Sequence, residues 1–186
     1  DSTICSRVFP SELSAFVTDY YRERGVTVLT GAKVTDVHKK GTEMVIVTGD
    51  GQQVNVDCVV AGLGVNLNVD LAEQAGLLID NGIIVDQFLR TNTKEIFAAG
   101  DIASFYNPLS NKRLRLEHED NAVAMGRQAG RNMAGSNEPY NYLPFFYSDL
   151  FDLGYEAVGE LDSKLETVAD WQVPFHKGVI YYLRDG

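Results

Sequence analysis

The chain has 186 residues, with 16 Lys and Arg against 26 Asp and Glu, a formal charge of −10 and 45% hydrophobic residues. Those figures suit one or two domains with packed cores rather than disorder, and the acidic balance argues against a nucleic-acid groove, which needs clustered Lys and Arg. No apolar run reaches the roughly 18–20 residues of a membrane-spanning helix, and Asp1-Ser2-Thr3-Ile4-Cys5 lacks the basic and apolar regions of a secretory signal.

The first expected element is a helix. Ser11 serves as its N-cap after Pro10, Leu13, Phe16, Val17, Tyr20 and Tyr21 recur at helical spacing, and Gly25 ends it. Residues 26–29 read as a short strand. Three β-like runs follow at 33–38, 43–48 and 53–57, the last two joined by the hairpin turn Gly49-Asp50-Gly51. Residues 58–61 read as a buried apolar strand that breaks at Gly62-Leu63-Gly64. Residues 69–75 suit a short helix, 83–85 a small strand, and 96–99 a short apolar strand ending at Gly100-Asp101. Asp120 opens a helix through about Met133, and its small residues Ala122, Ala124, Gly126, Ala129 and Gly130 suit close helix–sheet packing. From Tyr140 onward the chain is aromatic and β-like, at 145–147, 154–158 and 179–183, with no internal repeat and no low-complexity linker.

Cys5 and Cys58 are far apart and form no CxxC, so a disulfide framework, a zinc ribbon and a dithiol redox centre all lack their sulfur groups. Two incidental thiols in a reducing compartment are the expectation, cytoplasmic or, with a targeting region upstream, organellar. His38, His118 and His176 make no metal-spaced pair, and no metal site is expected. Glu117 and His118 are adjacent and face different sides of a helix, which excludes the Glu-x-x-His arrangement of a di-iron site.

Gly100-Asp101 is the most informative pair. In open α/β sheets ligands gather beyond the carboxyl ends of strands. A glycine there admits close backbone approach, and a carboxylate can accept from ribose or ribityl hydroxyls. The same dipeptide is also common in ordinary turns. Glu117-His118 is similarly double-sided. It suits a first helical turn whose carboxylates offset the helix dipole, or a helix start aimed at a ligand.

The wider run from Thr91 to Ala103 resembles the second flavin-binding motif of the FAD-dependent pyridine nucleotide oxidoreductases: a Thr before an apolar strand, then Ala-x-Gly-Asp. Further resemblance follows in order. Arg115-Leu116-Glu117-His118-Glu119-Asp120-Asn121-Ala122, with Gly126-Arg127 and Ala129-Gly130, looks like the helix start under the flavin ring, with the Glu-His of the apoptosis-inducing factor branch. Phe146-Tyr147-Ser148-Asp149 and Gly154-Tyr155-Glu156 resemble the start of that branch's C-terminal domain, with Tyr147 where the family usually has Trp.

The resemblance implies a partial Rossmann-like α/β nucleotide-binding region followed by a smaller α+β domain. Residues 1–71 would end an NAD(P)-binding domain, 72–135 would be the returning segment of the FAD-binding domain, and 136–186 would start a truncated C-terminal domain of reductase type. The implied function is hydride transfer from NAD(P)H to FAD and electron delivery to an acceptor, ferredoxin-like or a quinone. The alternative is a non-enzymatic interaction or signalling module. No residue is expected to act as nucleophile or proton donor; Glu117 and His118 would tune the flavin. The FAD contacts implied are Gly100, Asp101, His118, Glu119 and Tyr147. For NAD they are Arg7, Gly64, Glu117, His118, Tyr147 and Glu156. Nucleic acid and a membrane span are not expected among the partners, and a homodimer is one assembly the branch allows.

The fingerprint G-x-G-x-x-G is missing, since Gly62-Leu63-Gly64-Val65-Asn66-Leu67 lacks its third glycine. Complete members of the resembled family carry two such turns upstream of the matched region. The chain is therefore expected to be a C-terminal fragment, inactive alone, with Arg184-Asp185-Gly186 as the turn of an unfinished hairpin.

Overall fold

Helix α1 (Ser11–Glu23) forms where the apolar spacing predicts it. A computed structural model of the chain describes residues 2–108, 110–143 and 145–184. It contains two compact units, Asp1–Gly64 together with Glu160–Gly186, and Val65–Gly159. This is a different cut from the expected domain division at residues 71 and 135. The expected boundaries follow cofactor-binding segments, whereas the units follow packing.

In the first unit, Ser11 is the first helical residue rather than the cap. Pro10 occupies the cap position with φ −53° and ψ 152°, and no side chain caps the helix. The Pro10 carbonyl takes the Ser14 N–H at 2.9 Å, a position where the missing proline N–H costs nothing. Val17, Thr18 and Tyr20 are buried, and the Thr18 hydroxyl donates to the Ser14 carbonyl at 2.7 Å. Strands β1 (Val34–Lys40), β2 (Glu43–Thr48) and β3 (Gln53–Val56) make an antiparallel ribbon in that order. The Gly51 N–H closes the expected turn on the Thr48 carbonyl at 2.9 Å.

The apolar runs at 26–29 and 58–61 are not strands, and Val60 is 94% exposed. Both carry the continuous apolar signature of a strand buried in a parallel sheet. A strand also needs a neighbour for its backbone N–H and C=O groups, and among the described residues neither run has one.

The second unit opens with α2 (Asp70–Gln74) and β4 (Ile83–Ile84), which lies parallel to β5 (Ala103–Asn107); β6 (Lys112–Leu114) pairs antiparallel with β5. Residues 96–99 form an extended segment with a single bridge, Arg90 to Phe97, and lead into a 3-10 turn, Gly100–Ile102. The expected strand there is thus a coil, although Ala98 is buried in the core with Val85, Leu89, Phe105 and Met125. Helix α3 (Glu119–Met133) starts one residue before Asp120 and buries Asn121, Met125, Ala129 and Asn132. Ala129 therefore bears out the close-packing expectation. Gly126 and Gly130 do not, because a Cβ at either would meet nothing within 4 Å.

Strands β7 (Phe145–Leu150) and β8 (Leu153–Val158) form an antiparallel hairpin in this unit. Strands β9 (Glu166–Val173) and β10 (Lys177–Leu183) form another, which belongs to the first unit. At its turn Phe175 stacks on Phe16 of α1 at 5.1 Å, and the Tyr182 hydroxyl donates to the Val8 carbonyl at 2.8 Å. Asp185 and Gly186, part of the expected terminal turn, lie outside the described residues. No helix among the described residues is long and apolar enough to cross a membrane.

Candidate functional site

Gly100 and Asp101 sit in the 3-10 turn that leaves the core of the second unit. Gly100 has φ +78°, a conformation L side chains avoid, and its N–H points at Met125 Sδ, 3.3 Å away on the buried side of α3. The turn is thereby tied to the helix. The Asp101 side chain is exposed and makes no hydrogen bond or ion pair among the described residues. Its backbone carbonyl accepts from Arg115 Nη1 at 3.1 Å.

Arg115 makes two further contacts. Nη1 pairs with Glu117 Oε1 at 2.7 Å, and Nε donates to Asn81 Oδ1 at 3.2 Å. Neither Asn81 nor the role of Arg115 was legible in the motif; a basic residue two positions before Glu117 is the only signal it offered.

Helix α3 begins beside this cluster. His118 holds the cap position in an extended conformation, φ −123° and ψ 130°, and no side chain caps the helix. The Ala122 N–H bonds the His118 carbonyl at 2.9 Å. The N–H groups of Glu119, Asp120 and Asn121 precede the first intrahelical bond and have no helical acceptor. Asp120 accepts the Tyr142 hydroxyl at 2.7 Å, and this bond, more than burial, raises the Tyr142 pKa. Asn121 is fully buried. Its Oδ1 accepts the Tyr140 hydroxyl at 3.0 Å, while Nδ2 has no partner. Burial, then the charges of Tyr142 and Asp120, pushes the Tyr140 pKa upward.

The His118 ring stacks on Phe146 of β7, with centroids 4.4 Å apart and planes 16° from parallel, and Phe146 meets Tyr155 edge-on at 6.2 Å. Phe146 opens the resembled Phe-Tyr-Ser-Asp run without a role assigned to it there, and its contact with His118 comes from the fold. Tyr147 is the next residue and so points to the opposite face of the hairpin. There it lies directly across from Glu156, both side chains exposed. The structure therefore gathers Gly100, Asp101, Glu117, His118 and Glu119 around the start of α3 and pairs Tyr147 with Glu156, but sets His118 and Tyr147 on different faces of one hairpin. Arg7 and Gly64 are exposed residues of the other unit, and the Arg7 carbonyl takes the Ser163 N–H at 3.1 Å.

The donor set fits part of a flavin dinucleotide. A carboxylate without a partner can accept polyol hydroxyls, and backbone N–H groups at a helix start can donate to carbonyl or anionic oxygens. The exposed Tyr147–Glu156 pair offers a ring face and an acceptor, which suits a nicotinamide carboxamide. A glycine-rich turn for a pyrophosphate is not among these residues.

Comparison with known proteins gives the family. Residues 1–126 match the family described as pyridine nucleotide-disulphide oxidoreductase, and residues 129–176 match the C-terminal family of mitochondrion-associated apoptosis-inducing factor. The chain is 36% identical to apoptosis-inducing factor 1, mitochondrial, of Dictyostelium discoideum, aligning over all of this chain and 38% of that protein. The ferredoxin reductase for the CYP199A2 system of Rhodopseudomonas palustris superposes with a TM-score of 0.89 at 31% identity, over 99% of this chain and 46% of the other. Putidaredoxin reductase, solved as a covalent complex with putidaredoxin, gives 0.88 at 28% identity, over 99% and 45%. The chain thus spans less than half the length of these relatives. The fold class is the expected Rossmann-like α/β one, mixed helix and strand with small sheets, and the chain belongs to the pyridine nucleotide-disulphide oxidoreductase family.

Proposed function

We propose that this chain supplies the flavin-facing turn, the following helix and the start of the C-terminal domain of a flavoprotein oxidoreductase. In this reading the protein takes reducing equivalents from NAD(P)H and delivers electrons to a ferredoxin-like acceptor. FAD, when bound, supplies the hydride and electron chemistry, and the chain binds and orients it. The Asp101 carboxylate would accept from the ribityl hydroxyls. Gly100 would let the backbone approach, and the N–H groups of Glu119 and its neighbours would face the flavin with the positive end of α3. Glu117 and His118 would tune the flavin electrostatically, with His118 held flat by Phe146. Tyr147 and Glu156 would meet the nicotinamide ring and its carboxamide.

The observation that carries this reading is the juxtaposition of an unpartnered carboxylate at Asp101 with the uncapped start of α3, inside a chain of this family. The likeness to a reductase solved with its putidaredoxin partner supports the choice of acceptor class. Two unpaired cysteines, Cys5 and Cys58, suit a reducing compartment such as the cytoplasm.

The test is Asp101→Ala in the full-length protein. Loss of a charge-assisted hydrogen bond costs about 1.5–3 kcal/mol, so the variant is expected to release FAD on dialysis under conditions where the wild type keeps it. Equal flavin absorbance in both proteins would remove Asp101 from the site.

A further inference from the structure

We infer that Arg115 is a positioning residue for the flavin site, holding Asp101 through the main chain; this rests on the flavin-binding reading above. The Asp101 carboxylate is exposed and has no side-chain partner among the described residues, so its direction is set by its own backbone. That backbone is held from one side by the contact of Gly100 with Met125 and from the other by Arg115.

One guanidinium reaches three acceptors on three separate segments: the Asp101 carbonyl at 3.1 Å, Glu117 Oε1 at 2.7 Å and Asn81 Oδ1 at 3.2 Å. The turn that would hold the ribityl chain and the residue next to the start of α3 are thereby locked as one piece. The Arg115 side chain is 15% exposed and its partner Glu117 41%, so the guanidinium is largely covered while its acceptors stay open to solvent, and the geometry of the three bonds, more than their strength, sets the turn.

The fold also reserves the space. At Gly82, with φ +113°, an added Cβ would lie 2.5 Å from the Ile102 carbonyl oxygen and 3.0 Å from Arg115 Cδ. The Gly82 backbone thus lies directly against the Arg115 stem and the turn it holds. A lysine would keep the charge but not the planar fork that serves several acceptors at once. The ligand group that benefits is a polyol hydroxyl donating to Asp101.

A double-mutant cycle on the full-length protein tests this, read as FAD affinity by fluorescence titration of the apoprotein. Asp101→Asn and Arg115→Gln are each expected to weaken FAD by about tenfold or more. If Arg115 acts through Asp101, the double variant binds within about threefold of Asp101→Asn alone. Arg115→Lys is expected to restore part of the loss. Fully additive losses, or wild-type affinity in Arg115→Gln, would overturn the positioning role. Wild-type affinity in Asp101→Asn would instead sink the flavin-binding reading itself, whatever Arg115 does. If Arg115→Gln does not fold, Asn81→Gly takes its place in the cycle. It removes one acceptor at a position whose φ of +45° a glycine tolerates, and the same two outcomes decide.

Discussion

Two parts of the Val65–Gly159 unit offer ligand-binding chemistry, and they are built differently. Around Gly100 and Asp101 every backbone segment is tied down. The turn is held by Met125 and Arg115, the helix start by its buried first-turn Asn121, and both rest on a core that includes Leu89, Phe105 and Tyr140. On the β7–β8 hairpin, Tyr147 and Glu156 are held mainly by the strand ladder, and Tyr147 is 66% exposed. The first arrangement pre-pays the ordering cost of binding; the second leaves it for the ligand to meet. In the proposed reading this matches a resident cofactor on one side and an exchanging one on the other.

Perturbing the tied side should cost most. Met125→Ala removes a fully buried side chain and the partner of the Gly100 N–H, so a loss of about 2–5 kcal/mol is expected in denaturant unfolding of this chain. A loss below about 1 kcal/mol would mean the turn is not held by the core. Gly82→Ala places a Cβ against the Ile102 carbonyl in a left-handed conformation, with an expected cost of about 1–3 kcal/mol; a neutral result in the same melts would show that the turn yields freely.

Tyr140 probes the tied side through pH. Its pKa is raised above the ordinary 10.0 because the buried hydroxyl resists ionisation, so the unfolded chain releases this proton first. The contribution is complete below pH 10 and is lost as pH rises from there through the folded-state value. Tyr140→Phe should reduce that alkaline slope while costing about 1 kcal/mol at neutral pH for the lost bond to Asn121. An unchanged slope would assign it to other groups.

Gly126 and Gly130 test whether the tied side owes anything to the outer face of α3. Alanine at each should stabilise the isolated chain by about 0.5–1 kcal/mol, since no atom stands in the way. A loss at either would reveal a packing partner on that face. The smallest effect is expected on the open side, where Tyr147→Ala should stay within about 0.5 kcal/mol in stability. A large loss there would erase the contrast between the two regions.

The elements that were legible in the residues are those whose stabilisation is local. The spacing of Leu13, Phe16, Val17 and Tyr20 placed α1, and Gly49-Asp50-Gly51 placed the β2–β3 turn. The runs at 26–29, 58–61 and 96–99 were misread as strands because an apolar run reports burial or a missing neighbour, not the ladder that makes a strand. The small residues of α3 were similarly ambiguous, since Ala129 packs into the core and Gly130 beside it does not. Of the site, the Gly-Asp pair and the Glu-His helix start could be located from the motif, while Asn81 and the contact Phe146 makes could not. Each lies at least 28 residues from the side chain it holds, Arg115 or His118.

By itself, the amino-acid sequence determined the α/β class, the family resemblance and the order of the ligand-facing residues. These follow from periodicity, turn chemistry and motif spacing along the chain. Only the tertiary structure decided that Arg115 joins Asn81, Asp101 and Glu117, that Phe146 rather than Tyr147 meets His118, and that Tyr147 pairs with Glu156. Those are consequences of register and packing. A strand turns successive side chains to opposite faces, and a guanidinium bonds whatever carbonyls the fold carries into its reach.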